Sequence, residues 1–139
     1  MQIKWKDEYS VNIAEIDKQH KKLFEIGNHV YDIAILNDSF DHYDEIMTLL
    51  QELYDYTQYH FGYEEELMKA HNYQGCAQQE HEHQFFVQKI ESTLSDDIDN
   101  HQQETILEIL NFLSEWISSH IMISDRKYAD DFKARGILL

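Results

Sequence analysis

Residues 60–68 read HFGYEEELM, and they place a histidine and a glutamate, His60 and Glu64, four positions apart. Four residues make slightly more than one helical turn, so the imidazole and the carboxylate project from the same stripe of one helix. The same stripe carries apolar residues, among them Leu53 and Leu67. Polar side chains on a buried stripe need partners, so the stretch predicts a helix that faces a polar centre inside a helical bundle.

Three other segments carry candidate ligands in register with an apolar stripe. His20 lies in IDKQHKKLF, Gln79 and His83 lie in QQEHEHQFF, and His120 and Asp125 lie in WISSHIMISD. A single core histidine is usually satisfied by hydrogen bonds, but a set of inward polar residues spread over four helices is satisfied more readily by one metal centre. Imidazole and carboxylate groups together suit iron, manganese and zinc.

Apolar residues recur at helical spacing along the whole chain. Proline is absent and glycine occurs four times, so little forces a helix to stop. The stripes predict helices at roughly 12–37, 41–71, 76–96 and 102–122, with a short helical segment over about 125–135. We expect one domain over residues 1–139, an all-α, up-down-up-down antiparallel four-helix bundle with an N-terminal arm and a short C-terminal helix.

The charge balance and the cysteine content restrict the partners and the compartment. Eleven Lys and Arg residues stand against 27 Asp and Glu residues, a formal net charge of −16. Such acidity disfavours nucleic acid and anionic membranes. Cys76 is the single cysteine, so no disulfide forms within the chain. With no signal-like start and no apolar run near 20 residues, we expect a soluble cytoplasmic protein without nucleic-acid or membrane partners.

The full set of motifs, taken in order, resembles the hemerythrin family, specifically its single-domain bacterial members, over nearly the whole chain. The family pattern is a His on the first helix, HxxxE on the second, HxxxH on the third and HxxxxD at the end of the fourth. HxxxE alone is a weak motif, whereas the ordered set is specific. The matching residues here are His20, His60, Glu64, His83, His120 and Asp125, with Phe61, Glu65, Tyr73, Phe86 and Trp116 agreeing in the flanks.

The resemblance implies a non-haem diiron centre that binds dioxygen, or another small diatomic molecule, reversibly. Glu64 and Asp125 would bridge two iron ions, together with a solvent-derived oxo or hydroxo group. His20 and His60 would bind the iron that keeps an open position for O2. The other iron would take His83 and His120, plus a third imidazole from the first position of HxxxH.

Gln79 occupies that first position, where the family has histidine. An amide is neutral and binds iron weakly, through its carbonyl oxygen. His81 is two residues away, about 200° around a helix, so it could substitute only through a bulge or a register shift. We expect an altered site in which the second metal has room for water, and in which zinc or manganese competes more readily with iron.

Three functions follow from these residues. The first is an O2-binding protein acting as a carrier, store or sensor. The second is a diiron oxidase or peroxidase-like enzyme that uses the additional open position at Gln79. The third is a helical bundle whose degraded site binds little metal, and the six remaining ligands argue against it. We find no acid–base constellation beyond the ligands and no evident substrate pocket, so the sequence favours binding over catalysis.

Overall fold

The computed structural model describes residues 3–36 and 40–139, which contain helices and no β-strand. It confirms the predicted all-α bundle, and the predicted starts of the first three helices lie within two residues of those observed. The predicted end of the first helix, at residue 37, lies outside the described residues. The helices are α1 (Ala14–Leu36), α2 (Tyr43–Ala70), α3 (Cys76–Leu94), α4 (Gln102–Trp116), a π-helix (Ile117–Asp125) and α5 (Arg126–Ala134).

The four long helices form a closed ring of neighbours. Helix α1 packs against α2 and α4, and α2 packs against α3. Helices α3 and α4 meet through the aromatic rings of Phe86, Phe112 and Trp116. Buried side chains recur at every third or fourth position of each helix, as in Leu49, Leu50 and Leu53 of α2. Each such side chain contributes about 1.5–3 kcal/mol through burial, which stabilises the bundle.

Two apolar clusters lie at different levels of the bundle. The larger cluster includes Leu23, Phe61 and Ile121. The smaller cluster, one to two turns away along the same helices, includes Ile16, Met68, Tyr128 and Phe132. Between these levels each helix carries polar residues, which are His20 in α1, Glu64 in α2, Gln79 and His83 in α3, and Asp125 in the π-helix. The candidate ligands therefore form a polar layer between two apolar ones.

The N-terminal arm packs on α1, as the sequence predicted. The rings of Trp5 and Tyr9 contact Phe24, with ring centroids 5.4 and 5.1 Å away. The carboxylate of Asp17 accepts hydrogen bonds from the Ser10 hydroxyl and, at 2.9 Å, from the Val11 N–H. Asp17 thus joins the arm to the first turn of α1, where a negative charge also stabilises the helix dipole.

The predicted short C-terminal helix is confirmed as α5, but the fourth helix does not end near residue 122, where the sequence predicted its end. It continues through the π-helix and α5 to Ala134. The reason is that the segment contains neither proline nor glycine before Gly136. Gly136 has a φ of 74°, and the bonds Gly136 N–H to Lys133 O and Ile137 N–H to Phe132 O form a Schellman motif.

The π-helix places two candidate ligands on one side of the chain. In an α-helix, residues five apart differ by about 140° around the axis, so His120 and Asp125 would diverge. In a π-helix each carbonyl bonds to the N–H five residues on, so residues five apart lie nearly one above the other. The hydroxyls of Ser118 and Ser119 donate to the carbonyls of Ser114 and Glu115, at 3.1 and 2.8 Å. Such bonds distort helices locally.

The continuous helical stretch formed by a 3₁₀ turn (Asp99–His101), α4, the π-helix and α5 is also long and apolar enough to cross a membrane by length and composition alone. Asp99–Ala134 spans 36 residues and contains an 18-residue window of mean hydropathy 1.2, which the sequence analysis had not anticipated. The same helix supplies Ile106, Ile109 and Leu113 to the core of the bundle. Its composition is therefore weak evidence for a membrane span.

Deleting one residue should be tolerated inside the π-helix and not inside α4. Ile123 is 54% exposed, and its deletion would convert the wide turns to an α-helix with His120 and Asp125 still on one face. Leu107 lies in α4 and is 43% exposed, and its deletion rotates all later residues by about 100° relative to the earlier ones. This rotation removes His120 and Asp125 from the polar layer. Thermal unfolding followed by circular dichroism should stay cooperative for the Ile123 deletion alone. If both deletions abolish cooperative unfolding, or if both preserve it, this role of the π-helix is contradicted.

Candidate metal centre

The structure brings the six predicted ligands together from all four helices. None of these side chains is more than 2% exposed. Helix α2 supplies two of them because their spacing of four residues returns them to the same face. We call these residues the ligand cluster, and they are His20, His60, Glu64, His83, His120 and Asp125.

The ligand cluster divides into two overlapping groups. His20 and His60 form one group with Glu64 and Asp125, and His83 and His120 form the other with the same two carboxylates. Within each group the potential ligand atoms lie within 4.8 Å of one another. We call these groups the first and the second position. Two imidazoles at each position and two shared carboxylates could hold a pair of cations.

The two shared carboxylates are oriented differently. Asp125 faces one position with each oxygen, since Oδ2 lies 3.1 Å from Nε2 of His20 and Oδ1 lies 3.0 Å from Nε2 of His120. Glu64 faces both positions with one oxygen, because Oε1 lies 2.8 Å from Nε2 of His60 and 3.7 Å from Nε2 of His83. Its other oxygen accepts a 2.6 Å hydrogen bond from the Tyr128 hydroxyl.

Several buried atoms of the cluster fit a cation better than they fit one another. His20 Nε2, Glu64 Oε1 and Asp125 Oδ2 have no hydrogen-bond partner among the described residues. The nearest polar atoms are close, as the distances above show, but they are not aligned as hydrogen bonds. An unpaired buried polar atom costs about 1–3 kcal/mol. A cation between these atoms would satisfy all of them.

Gln79 faces the cluster from one turn before His83. Its side chain is buried, and its Nε2 donates to Oδ1 of Asp125 at 3.1 Å, while its Oε1 has no partner among the described residues. Helix α3 is continuous from Cys76, and His81 lies on its exposed side, where it lines a surface groove with Phe85. The residue that accompanies His83 in the polar layer is therefore Gln79.

Most of the imidazoles have a second partner on the side facing away from the cluster. Nδ1 of His83 lies 2.8 Å from Glu65, and Nδ1 of His120 lies 3.0 Å from Glu82. Nδ1 of His60 lies 2.7 Å from the amide oxygen of Gln19. On a neutral imidazole, an acceptor at Nδ1 favours the proton there and leaves the lone pair of Nε2 directed into the cluster.

The charges within the cluster are strongly coupled. Burial alone would raise the pKa of Asp125, but the close imidazoles of His120 and His20 hold it well below the usual range. Burial alone would lower the pKa of His120, yet Asp125 and Glu82 together raise it to about 10. The hydrogen bond from His120 lowers the pKa of Glu82 to about 2. Burial lowers the pKa of His83, which favours the neutral imidazole that a metal requires.

Sequence reasoning missed the functional contacts of four residues, which are Gln19, Glu65, Glu82 and Tyr128. In the sequence, Glu65 stands out only as a flanking match to the family pattern. Glu65 follows the candidate ligand Glu64 and Glu82 precedes the candidate ligand His83. Adjacent helical residues are about 100° apart, so a neighbour of an inward ligand lies at the seam with the next helix. That offset is the signal in the sequence that could have identified Glu65 and Glu82.

A four-helix bundle with histidines and carboxylates pointing inward from every helix defines a class of dinuclear metal proteins. The family model described as the Hemerythrin HHE cation binding domain matches residues 11–131. A bacteriohemerythrin of Clostridium acetobutylicum is 39% identical over 126 residues, covering 91% of this chain and 98% of that protein. The chain therefore belongs to the hemerythrin family and carries its cation-binding domain.

Two further relatives agree with this assignment. A bacteriohemerythrin of Stenotrophomonas maltophilia is 30% identical over 135 residues, covering 94% of this chain and 81% of that protein. A hemerythrin-like protein of Naegleria gruberi is 29% identical over 125 residues, covering 89% and 88%. The similarity thus extends along almost the whole chain in relatives from bacteria and from Naegleria.

Replacing Tyr128 with Phe should destabilise the protein after its metal has been removed with a chelator. The change leaves one oxygen of the buried Glu64 carboxylate without its donor, and a hydrogen bond to a charged group contributes about 1.5–3 kcal/mol. The free energy of unfolding in urea should fall by that amount. Tyr54→Phe is the matched control, because it removes a 3.0 Å bond to the exposed Glu91 and should have no measurable effect. Equal effects of the two changes would disprove the role assigned to Tyr128.

The stability of the chelator-treated protein should decrease as the pH rises from 6.5 to about 9. The folded state raises the pKa of His120 from 6.5 to about 10. A raised pKa stabilises the fold fully below 6.5, and this stabilisation is lost as the pH approaches the folded value. Urea unfolding at several pH values measures how steeply the free energy of unfolding falls with pH. Glu82→Gln should make this fall shallower. A wild-type stability that stays constant or rises with pH would contradict the prediction.

Proposed function

We propose that this chain is a non-haem diiron protein that binds dioxygen reversibly, as a carrier, store or sensor, with a site altered by Gln79. The observation that carries the proposal is the pair of overlapping ligand groups sharing Glu64 and Asp125. Membership of the hemerythrin family supports a cation at these residues. Iron is the cation that would supply reversible O2 binding when bound.

His20 and His60 would hold the iron at the first position, and His83 and His120 would hold the iron at the second. Glu64 and Asp125 would be shared, because their oxygens face both pairs of imidazoles. Imidazole and carboxylate ligands also suit zinc and manganese, which makes both ions competitors of iron.

Burial of the cluster favours a small diatomic ligand over a larger substrate. All six ligand side chains lie under other residues, with exposures of 0–2%. Two surface grooves, of about 390 and 270 Å³, reach the outer sides of His83 and His120. Their lining residues include Glu65 and Glu82, which stand between solvent and the imidazoles. The family match favours binding, and we find no observation that favours the oxidase alternative.

Gln79 alters the second position in two ways. It supplies an amide where the family pattern has a third imidazole, so one strong donor is missing. Its amide nitrogen is also engaged with Asp125, which leaves the carbonyl oxygen as its free polar atom. We therefore propose an iron at the second position with a weaker or exchangeable third ligand.

We place this protein in the cytoplasm, without nucleic-acid or membrane partners. The formal net charge of −16 opposes binding to nucleic acid and to anionic lipid. The long apolar helix contributes to the bundle core, as described above. Dioxygen itself would be the partner at the buried site.

Gln79→His should bind iron more tightly and bind O2 more reversibly than the wild type, because it completes three imidazoles at the second position. Protein loaded anaerobically with Fe²⁺ is cycled between argon and air while its optical spectrum is recorded. Iron retention is then measured against a chelator. Glu64→Ala, which removes a shared carboxylate, is the negative control. A wild-type spectrum that does not respond to O2 would refute the proposed function, and identical wild-type and Gln79→His behaviour would refute the role of Gln79.

A further inference from the structure

The two positions differ in what lies behind their imidazoles. At the second position, His83 and His120 both face carboxylates, Glu65 and Glu82, at 2.8 and 3.0 Å. At the first position, His60 faces the neutral amide of Gln19. His20 Nδ1 has no hydrogen-bond partner among the described residues. At the first position the carboxylate of Glu15 is bonded to Gln19 at 3.1 Å and not to an imidazole, so among the described residues carboxylates contact the outward imidazole nitrogens at the second position alone.

From this asymmetry we infer that Glu65 and Glu82 make the second position the tighter of the two cation sites, although Gln79 deprives it of an imidazole. The first position then fills last and releases its cation first. The inference rests on the proposed function, since it requires that both positions bind a cation. It assigns Glu65 and Glu82 as positioning residues that act through the imidazoles of His83 and His120.

A carboxylate behind an imidazole strengthens the ligand more than an amide does. When Nδ1–H donates to a carboxylate, electron density moves toward Nε2 and the nitrogen becomes a stronger donor to a metal. Loss of such a partner typically lowers metal affinity about 10- to 100-fold. Two such partners at the second position can offset one missing imidazole, whereas the first position has an amide behind one ring only.

The imidazoles of the second position are also held more firmly. The ring of His83 stacks on Phe61 at 4.1 Å with an angle of 6°, and the ring of His120 stacks on Trp116 at 4.0 Å with an angle of 15°. At the first position the rings of His20 and His60 meet edge to face at 4.9 Å, and the ring parallel to His60, that of Tyr56, lies 6.4 Å away. A ligand that is already oriented loses less freedom when the metal binds.

Each carboxylate also joins two helices. Glu65 extends from α2 to a ligand on α3, and Glu82 extends from α3 to a ligand in the π-helix. Ser124 donates a 2.8 Å hydrogen bond to the same oxygen of Glu82 that faces His120. The second position thus has two cross-helix bonds to its imidazoles that do not involve the metal, whereas the first has one, between Gln19 of α1 and His60 of α2, and this difference favours filling of the second position first.

The test is an equilibrium titration of the chelator-treated protein with Co²⁺ against a competing chelator, followed by the visible absorption of the bound ion. The wild type should take up two ions per chain in a tighter and a weaker step. Glu65→Gln and Glu82→Gln should each weaken the tighter step by about tenfold or more and leave the weaker step unchanged. Glu66→Gln is the matched control, because it removes an exposed negative charge next to Glu65 without facing an imidazole.

Gln19→Ala identifies the weaker step, and it does so even if the glutamate variants fail to fold. It removes the partner of His60, so it should change the weaker step alone. The inference is overturned if Gln19→Ala changes the tighter step, or if Glu66→Gln matches Glu65→Gln, which would indicate a general charge effect. Uptake of fewer than two Co²⁺ ions by the wild type would instead contradict the dinuclear site of the proposed function. Urea unfolding of the chelator-treated variants separates lost affinity from lost stability.

Discussion

Two carboxylates, Glu64 and Asp125, are fully buried in the middle of the bundle. Removing an ion from water costs several kcal/mol even after the protein relaxes, and two like charges at close range add repulsion. The fold tolerates both groups because imidazoles surround them and because Tyr128 donates to one of them. Balancing these two negative charges is the constraint on which the polar layer depends.

The other unusual features of the structure serve that constraint. The π-helix brings Asp125 and His120 to the same side of one chain segment, which an α-helix would not do at a spacing of five. The outward carboxylates of Glu65 and Glu82 lie against Nδ1 of the imidazoles they face, where they favour a proton on that nitrogen. The apolar clusters above and below exclude water and fix the depth of the layer.

Features that depend on the chain's own periodicity could be predicted from the sequence. The 3.6-residue spacing gave the helices and placed His60, Glu64, Gln79 and His83 on inward faces. Features that depend on two elements meeting could not be predicted in this way. Glu82 partners His120, 38 residues along the chain, because α3 and the π-helix are neighbours in space. The short C-terminal helix was predicted, but the π-helix that joins it to α4 was not, because its wide turns depart from the 3.6-residue period.

The central claim is that Glu64 and Asp125 are shared by two iron ions held between four histidines. Anomalous X-ray diffraction at the iron edge, from crystals of iron-loaded protein, tests this most directly. The proposed function predicts two iron peaks per chain, one beside His20 and His60 and one beside His83 and His120. Each peak should lie within bonding distance of Glu64 and of Asp125. A single peak, or peaks outside the ligand cluster, would contradict the account.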